Sequence, residues 1–271
     1  MMKTTFTNKV VLITGGASGI GKIMGRKALE RGASKLVIWD INAEGLKQII
    51  NEFSAYRDKI LTVEVDVSRV ESIQQGARYT SEVVGVPSVL INNAGIIVGK
   101  YFHEHSSQDI ERTMRINTDA LMHVTNAFLH AMMDIDDGAI CNIASSAGLV
   151  SNSRMSVYAA SKWAVIGWSD SLRLEMEELK RNIRVTTVMP FYIKTGMFDG
   201  VKSKLIPIME PEKAAEKIIR AIERGKKMYA LPMPFWFIRL AQGILPLALY
   251  DWTMRNVFGI YDTMKEFKGR G

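Results

Sequence analysis

At 271 residues, with a formal net charge of +7 and one cysteine, the chain has the length of one large α/β domain able to bury a single substantial core. A lone cysteine excludes a disulfide framework and a thiolate metal cluster, and the opening segment MMKTTFTNKVVLITGG carries neither the apolar core nor the cleavage site of an export signal. A reducing, cytoplasmic setting is the expectation, and so moderate a charge is no argument for nucleic acid.

In chain order, short β-rich runs alternate with helical periodicity. The runs are Val10 to Thr14, Lys35 to Asp40, Ile60 to Val67, Ser88 to Asn92, Ala139 to Ser145, Ile183 to Met189 and Met228 to Leu231. Seven strands separated by stretches of crossover length predict a doubly wound, Rossmann-type α/β fold: a parallel sheet with helices on both faces and its ligand beyond the carboxyl ends of the strands.

The first run ends in Thr14-Gly15-Gly16-Ala17-Ser18-Gly19-Ile20-Gly21 and opens a helix over Ile20 to Arg31. Glycines there let the backbone turn and approach a pyrophosphate, while the helix start offers free N–H groups and positive partial charge. The spacing is G-x-x-x-G-x-G and not the common G-x-G-x-x-G, but its place between strand and helix favours dinucleotide binding over a plain tight turn. Asp40 closes the second run nineteen residues after Gly21, where an acid accepts hydrogen bonds from the ribose of NAD and repels the 2′-phosphate of NADP. Ile41 and Asn42 follow it, with no basic residue, so NAD is expected over NADP; the competing reading has Asp40 merely capping the next helix. Asp66 ends the third run, facing an adenine edge or serving as an ordinary strand-end residue.

The proton chemistry lies in Cys141 to Lys162, CNIASSAGLVSNSRMSVYAASK. Tyr158 and Lys162 stand four apart in a helical segment, so both leave the same face, and Ser145 precedes Tyr158 by thirteen residues. A neighbouring ammonium favours phenolate, which predicts a Tyr158 pKa drawn below the usual tyrosine value of ~10 and a side chain able to take or give a proton. The Ser145 hydroxyl would hold the substrate oxygen.

Together TGGASGIG, Asp66-Val67, Asn92-Asn93-Ala94-Gly95, Asn117, Ser145, Tyr158 and Lys162 resemble the short-chain dehydrogenase/reductase family, over roughly residues 8 to 200. The resemblance implies that Asn117, Ser145, Tyr158 and Lys162 are catalytic. It implies a cofactor site of Gly15, Ser18, Gly19, Ile20, Gly21, Asp40, Ile41, Asp66, Val67, Asn93, Ala94, Gly95, Tyr158, Lys162, Pro190, Ile193 and Thr195. In the same way Asn93 to Gly95 would steady the sheet and line the adenosine side. Asn117 would bend its helix and hold a water joining Lys162 to solvent, Lys162 would bind the nicotinamide ribose, and Ile193 and Thr195 would meet the carboxamide. The family usually has glycine after the proline of Met189-Pro190-Phe191, so Phe191 is a departure that turns a ring toward nicotinamide or substrate. The pattern P-F-x-x-x-T-G-M-F is most similar to the branch of retinol dehydrogenases and 17β-hydroxysteroid dehydrogenases. Residues 1–271 then read as one dinucleotide-binding oxidoreductase domain, with a substrate-loop region at 191–225 and an apolar extension at 229–271.

Residues 201–227 hold eight basic and four acidic side chains, a net +4, and Tyr229 to Tyr250 (YALPMPFWFIRLAQGILPLALY) is strongly apolar, with one charge, at Arg239. Prolines at 232, 234 and 246 argue against a membrane-spanning helix. Two readings stand equally: a peripheral membrane contact through 229–250, or a cover for the substrate pocket or a subunit partner. Either makes the surroundings greasy, with Met189, Met197, Met209 and Met233 as adaptable lining or simple core, and the expected substrate is a lipophilic alcohol such as a retinoid, hydroxysteroid or long-chain alcohol. His103 and His105 have a metal-like spacing but lack a completing ligand and read as a solvated loop, so no metal is expected. Trp163 and Trp168 read as core or dimer contacts, since the family pairs the helices around residues 106 to 131 and 156 to 179 in homodimers and homotetramers. An NADPH-dependent carbonyl reductase and a non-catalytic dinucleotide-binding regulator are the alternatives; Asp40 counts against the first and the intact serine, tyrosine and lysine set against the second.

Overall fold

The structure, a computed structural model, describes residues 4–232 and 235–269, with Phe235 to Phe237 as backbone only. Its centre is a seven-stranded sheet, every pairing parallel, in the order β3-β2-β1-β4-β5-β6-β7. The strands are β1 (Val10–Thr14), β2 (Lys35–Asp40), β3 (Ile60–Glu64), β4 (Val89–Asn92), β5 (Gly138–Ile143), β6 (Ile183–Pro190) and β7 (Met228–Leu231). Continuous apolar runs form such a sheet because both faces are covered. Val11, Leu12 and Ile13 of β1 are fully buried, and so are Val89, Leu90 and Ile91 of β4.

The helices are α1 (Gly19–Glu30), α2 (Ala43–Glu52), α3 (Val70–Val84), α4 (Ser107–Met114), α5 (Ala120–Ile135), α6 (Ser156–Glu178), α7 (Pro211–Glu223), α8 (Phe235–Ile244) and α9 (Leu247–Trp252). Residues of α1, α2 and α7 share one core with the sheet, and residues of α3, α5 and α6 share the other. In the second core the Trp39 indole N–H donates to Thr80 Oγ1 at 3.1 Å, so a large buried ring keeps its polar group satisfied. A polar ladder crosses the sheet beneath the strand ends: Asn92 Nδ2 donates to Thr125 Oγ1 (3.0 Å) and Asn142 Oδ1 (2.8 Å), and Asn142 Nδ2 donates to Ser169 Oγ (2.9 Å). Asn92 and Asn142 are register partners, so the ladder also pins β4 to β5.

Two strands stop earlier than the apolar pattern suggests. The third run reads to Val67, but β3 ends at Glu64 opposite Asp40, the last residue of β2, and Asp66 then turns the chain by accepting from Ser68 N (2.9 Å) and Ser68 Oγ (2.6 Å). The fifth run reads to Ser145, yet β5 ends at Ile143 because Ser145 begins a tight turn, its Oγ accepting from Ala147 N at 3.1 Å.

The basic stretch after β6 is less free than its composition suggests. Lys202 pairs with Glu266, Arg220 with Glu216 and Lys227 with Glu177. The acidic residues of α7 face α1: Lys27, only 7% exposed, reaches Glu212 (2.8 Å) and Glu216 (3.2 Å), while Arg31 reaches Glu216 (2.7 Å) and Glu223 (3.0 Å). The apolar extension breaks at Pro246 between α8 and α9, and no helix of the described residues is long and apolar enough to cross a membrane. Its inner side chains, Ile238, Tyr250, Met254, Ile260 and Met264, share a third core with Tyr158, Phe191 and Tyr192, whereas Leu240, Ile244, Leu247 and Trp252 face outward.

The α1–α7 cluster gives a stability prediction. Burial raises the Glu216 carboxyl, but hydrogen bonds from Arg31, Arg220 and Lys27 outweigh it and hold the group at about 2, against an ordinary 4.5. A folded value below the unfolded one contributes stability above pH ~4.5 that is lost as pH falls toward ~2. Because water still reaches the cluster, its share is held to about 1 kcal/mol. Glu216→Gln is expected to lower the melting temperature by about 2–4 °C near neutral pH, with the gap closing in thermal scans toward about pH 3.

Candidate active site

Strand order reverses between β1 and β4, so the loops leaving them diverge and a cleft of about 300 Å³ opens beyond the strand ends. Gly15 makes the first turn at φ +63°, and an added Cβ there would lie 2.9 Å from Ala94 Cα, so the β1 and β4 loops meet backbone to backbone. At Gly21 a Cβ would collide with Gly15 O and with Asn93 Nδ2. Asn93 is the clamp: its Nδ2 donates to the carbonyls of Thr14 and Gly15, both at 3.0 Å, while Thr14 Oγ1 accepts from Asn93 N (3.0 Å) and Ala94 N (3.1 Å). Ser18 is the N-cap of α1, but its side chain makes no cap bond and the first turn holds no acid. The α1 N–H groups beside Gly19 and Ile20 are thus left open to an anion at the cleft wall, which fits a pyrophosphate.

Asp40 stands at the same wall. Its Oδ2 accepts from Ala17 N at 2.9 Å and its Oδ1 from Asn42 N at 3.0 Å, so the carboxylate ties β2 to the glycine loop. It is not the cap of α2, since Asn42 fills that role by accepting from Gly45 N at 3.0 Å. Each carboxylate oxygen keeps acceptor capacity for a ribose hydroxyl. Ile41, 64% exposed, and Asp66 and Val67 continue this side of the cleft.

Between α4 and α5 the chain winds one π-helical turn, Arg115–Asp119, that contains Asn117. The Asn117 amide is taken up by main chain and serine: Oδ1 accepts from Ile96 N (2.8 Å), and Nδ2 donates to Ile96 O (2.9 Å) and Ser161 Oγ (3.1 Å). Asn117 therefore fastens the loop after Gly95 to α6. Gly95 is closely surrounded, since a Cβ there would lie a tight 3.3 Å from Asn117 Oδ1 and 3.6 Å from Lys162 Nζ.

Helix α6 brings Tyr158 and Lys162 to the cleft on one face, opposite Ser145 at the end of β5. Ser145 and Tyr158 both line the cleft, and the serine hydroxyl is near enough to act on the phenol. The electrostatics differ from the sequence expectation. Burial pushes the Tyr158 phenol up to about 12; the nearby Ser145 hydroxyl offsets part of this and Tyr192 adds to it. Burial also brings the Lys162 ammonium down to about 8. Lys162 Nζ sits 5.8 Å from the Tyr158 ring centroid and donates to Ile143 O at 3.0 Å, so desolvation decides the phenol's value, not the charge beside it.

The far wall comes from the end of β6. Pro190, Ile193 and Thr195 line the cleft, and Ile193 is fixed by a bridge to Met209. Phe191, in the position of the usual glycine, lines the cleft with its ring 4.4 Å from that of Tyr192. Phe198 stands edge-on to both Tyr192 (5.0 Å) and Tyr158 (6.1 Å). Of the methionines, Met197 lines the cleft, Met189 is fully buried core, Met209 is partly buried, and Met233 lies outside the described residues. Sequence reasoning missed Arg112 and Ile116, which also line the cleft; their signal was an i,i+4 pair ending beside Asn117. His103 stacks on Tyr101 with centroids 5.9 Å apart, and His105 packs against Phe102. Trp168 is partly buried in the core, whereas Trp163 is 44% exposed.

The family model described as short chain dehydrogenase matches residues 9–205. Among curated proteins, epidermal retinol dehydrogenase 2 of Mus musculus is 36% identical over 269 residues, 97% of this chain and 86% of the relative. Estradiol 17-beta-dehydrogenase 11 of Homo sapiens is 30% identical over 267 residues, 98% of this chain and 89% of the relative. A solved structure of a short chain dehydrogenase from Burkholderia cenocepacia J2315, in complex with NADP, matches with a TM-score of 0.79 at 25% identity, covering 92% of this chain and 98% of that one. The matched motifs occupy the same cleft that the fold opens at the strand-order reversal, and the chain belongs to the short-chain dehydrogenase/reductase family, in which retinol and hydroxysteroid dehydrogenases are its relatives.

Proposed function

We propose that the protein is an NAD-dependent oxidoreductase acting on a lipophilic primary or secondary alcohol, with Tyr158 as the acid and base. The observation that carries this reading is that Ser145, Tyr158 and Lys162 line the same cleft as the glycine loop, with apolar side chains around them. The residues fit the cofactor in order along the cleft. The open N-terminus of α1, with Gly15, Ser18, Gly19, Ile20 and Gly21, holds the pyrophosphate. Asp40 and Ile41 take the adenosine ribose, and Asp66, Val67, Asn93, Ala94 and Gly95 the adenine side. Lys162 and Tyr158 bind the nicotinamide ribose, and Pro190, Ile193 and Thr195 the carboxamide. A bound nicotinamide supplies the hydride acceptor.

The rest is done by this chain. Ser145 Oγ donates to the substrate oxygen and fixes it beside Tyr158 Oη. Tyr158 takes the hydroxyl proton as the alcohol is oxidised, and returns it in the reverse direction. Lys162, charged at neutral pH, favours the phenolate once a substrate oxygen draws the phenol into play. Phe191, Tyr192 and Phe198 keep water from the reacting carbon and supply the apolar surface that a retinoid, hydroxysteroid or long-chain alcohol matches; the names of the relatives support that class. Asp40 supports NAD, since its charge opposes a 2′-phosphate. The outward Leu240, Ile244, Leu247 and Trp252, beside Arg239 and Arg255, suit a peripheral contact with anionic lipid, and exposed Trp163 and Leu174 on α6 suit assembly as a dimer or tetramer. One observation favours a second reading, carbonyl reduction: burial keeps the proton on the Tyr158 phenol, the form in which a proton donor must start.

Three outcomes follow from these assignments. Tyr158→Phe is expected to lower turnover by about 10²–10⁴-fold while calorimetry shows dinucleotide affinity retained, and unchanged turnover would remove Tyr158 from the proton path. Asp40→Arg should move the NAD-to-NADP preference in kcat/KM by about tenfold or more toward NADP, and an unmoved ratio would contradict the ribose assignment. Because the base is needed deprotonated and the acid protonated, alcohol oxidation should gain with pH between about 6 and 10 while carbonyl reduction stays flat or falls.

A further inference from the structure

Beyond Ser145 the interior narrows sharply. Ser145, Phe191 and Phe198 line both the cofactor cleft and a second cavity, completed by Val150, Met155 and Ile260, of only about 10 Å³. That is the space of roughly one water, so no retinoid or steroid enters without something moving.

What closes it is the end of the chain. Residues 260–268 lie across three loops that are remote in sequence. Lys268 N donates to Asp199 O (2.9 Å) and Lys202 N to Thr263 O (3.4 Å), while Lys202 also pairs with Glu266. Arg154 donates from Nη1 to Lys265 O (3.0 Å), with its guanidinium 4.6 Å above the Tyr101 ring. Beneath these exposed ties is a buried one. The hydroxyls of Tyr192 and Thr263 are 2.8 Å apart, and both side chains are at most 4% exposed. The Asn152 amide oxygen faces the two hydroxyls at 3.2 and 3.1 Å, and its nitrogen donates to Ile260 O (2.9 Å) and Ser151 O (3.2 Å). Tyr192 thus belongs to the active-site wall and Thr263 to the covering segment, joined by hydrogen bonds among three side chains from separate parts of the chain.

We propose that residues 260–268 are a cover over the substrate cavity, latched by Tyr192, Asn152 and Thr263, and that release of this latch admits bulky apolar alcohols, making the three residues determinants of substrate size. The inference rests on the alcohol oxidoreductase reading. If the open form is a minor state, the apparent affinity for a bulky substrate is reduced by its fraction, and a substrate small enough for the closed cavity is not so penalised. Weakening the latch then favours the bulky substrate selectively.

The test uses the full chain with Thr263→Val, which keeps the shape and removes the hydroxyl. A second variant, Gly200→Ala, acts independently: Gly200 is exposed at φ +85°, and a Cβ there would collide with Glu266 O and lift the cover from outside. Amide hydrogen exchange over 260–268 is expected to quicken in both variants, and the ratio of kcat/KM for a long-chain alcohol to that for a short-chain one to rise by about three- to tenfold, the size of one hydrogen bond. Quickened exchange with an unmoved ratio would overturn the cover, as would unchanged exchange in both variants. Absence of turnover with either alcohol in the unaltered protein would bring down the parent reading and the cover together.

Discussion

The structure depends on the close approach of two backbones where the strand order reverses. Gly15 and Ala94 approach this closely because Gly15 has no side chain, and Asn93 and Thr14 hold the contact with four hydrogen bonds. From that clamp the glycine loop is aimed into α1, the β4 loop is carried toward Asn117, and the cleft acquires a floor of main chain. A side chain at either glycine of the turn, 15 or 21, would push the loops apart and close the space that a dinucleotide needs.

Burial shapes the chemistry at the other end of the cleft. It moves Tyr158 and Lys162 in opposite directions, the phenol up to about 12 and the ammonium down to about 8, because both charged forms lose water. The pair is thereby poised with its proton on the phenol, which suits donation to a carbonyl oxygen. Under the proposed alcohol oxidation Tyr158 would need the opposite state, which positive charge on Lys162 would favour in a water-poor site. The direction of chemistry is accordingly tied to what the cleft contains.

Much of this was legible in the sequence because it is local. The apolar runs marked the seven strands, the glycine spacing marked the turn into α1, and the four-residue interval put Tyr158 and Lys162 on one face of α6. What escaped depends on partners far along the chain. The ends of β3 and β5 were overrun because Asp66 and Ser145 turn the backbone through side-chain hydrogen bonds that an apolar pattern does not record. The basic stretch looked freer than it is, since Lys202, Arg220 and Lys227 find acids at 266, 216 and 177. The Tyr192–Asn152–Thr263 cluster spans 111 residues and had no local sign at all. The phenol's value depended on depth of burial, which spacing does not reveal.

The most direct measurement is single-turnover transfer of deuterium from a lipophilic alcohol labelled at its carbinol carbon, with NAD as acceptor and the nicotinamide read by mass spectrometry. The account predicts label on the nicotinamide with the unaltered protein and label that appears about 10²–10⁴-fold more slowly with Tyr158→Phe. Label that forms equally well without the tyrosine hydroxyl, or a nicotinamide that stays unlabelled with the unaltered protein while NAD binds, would contradict it.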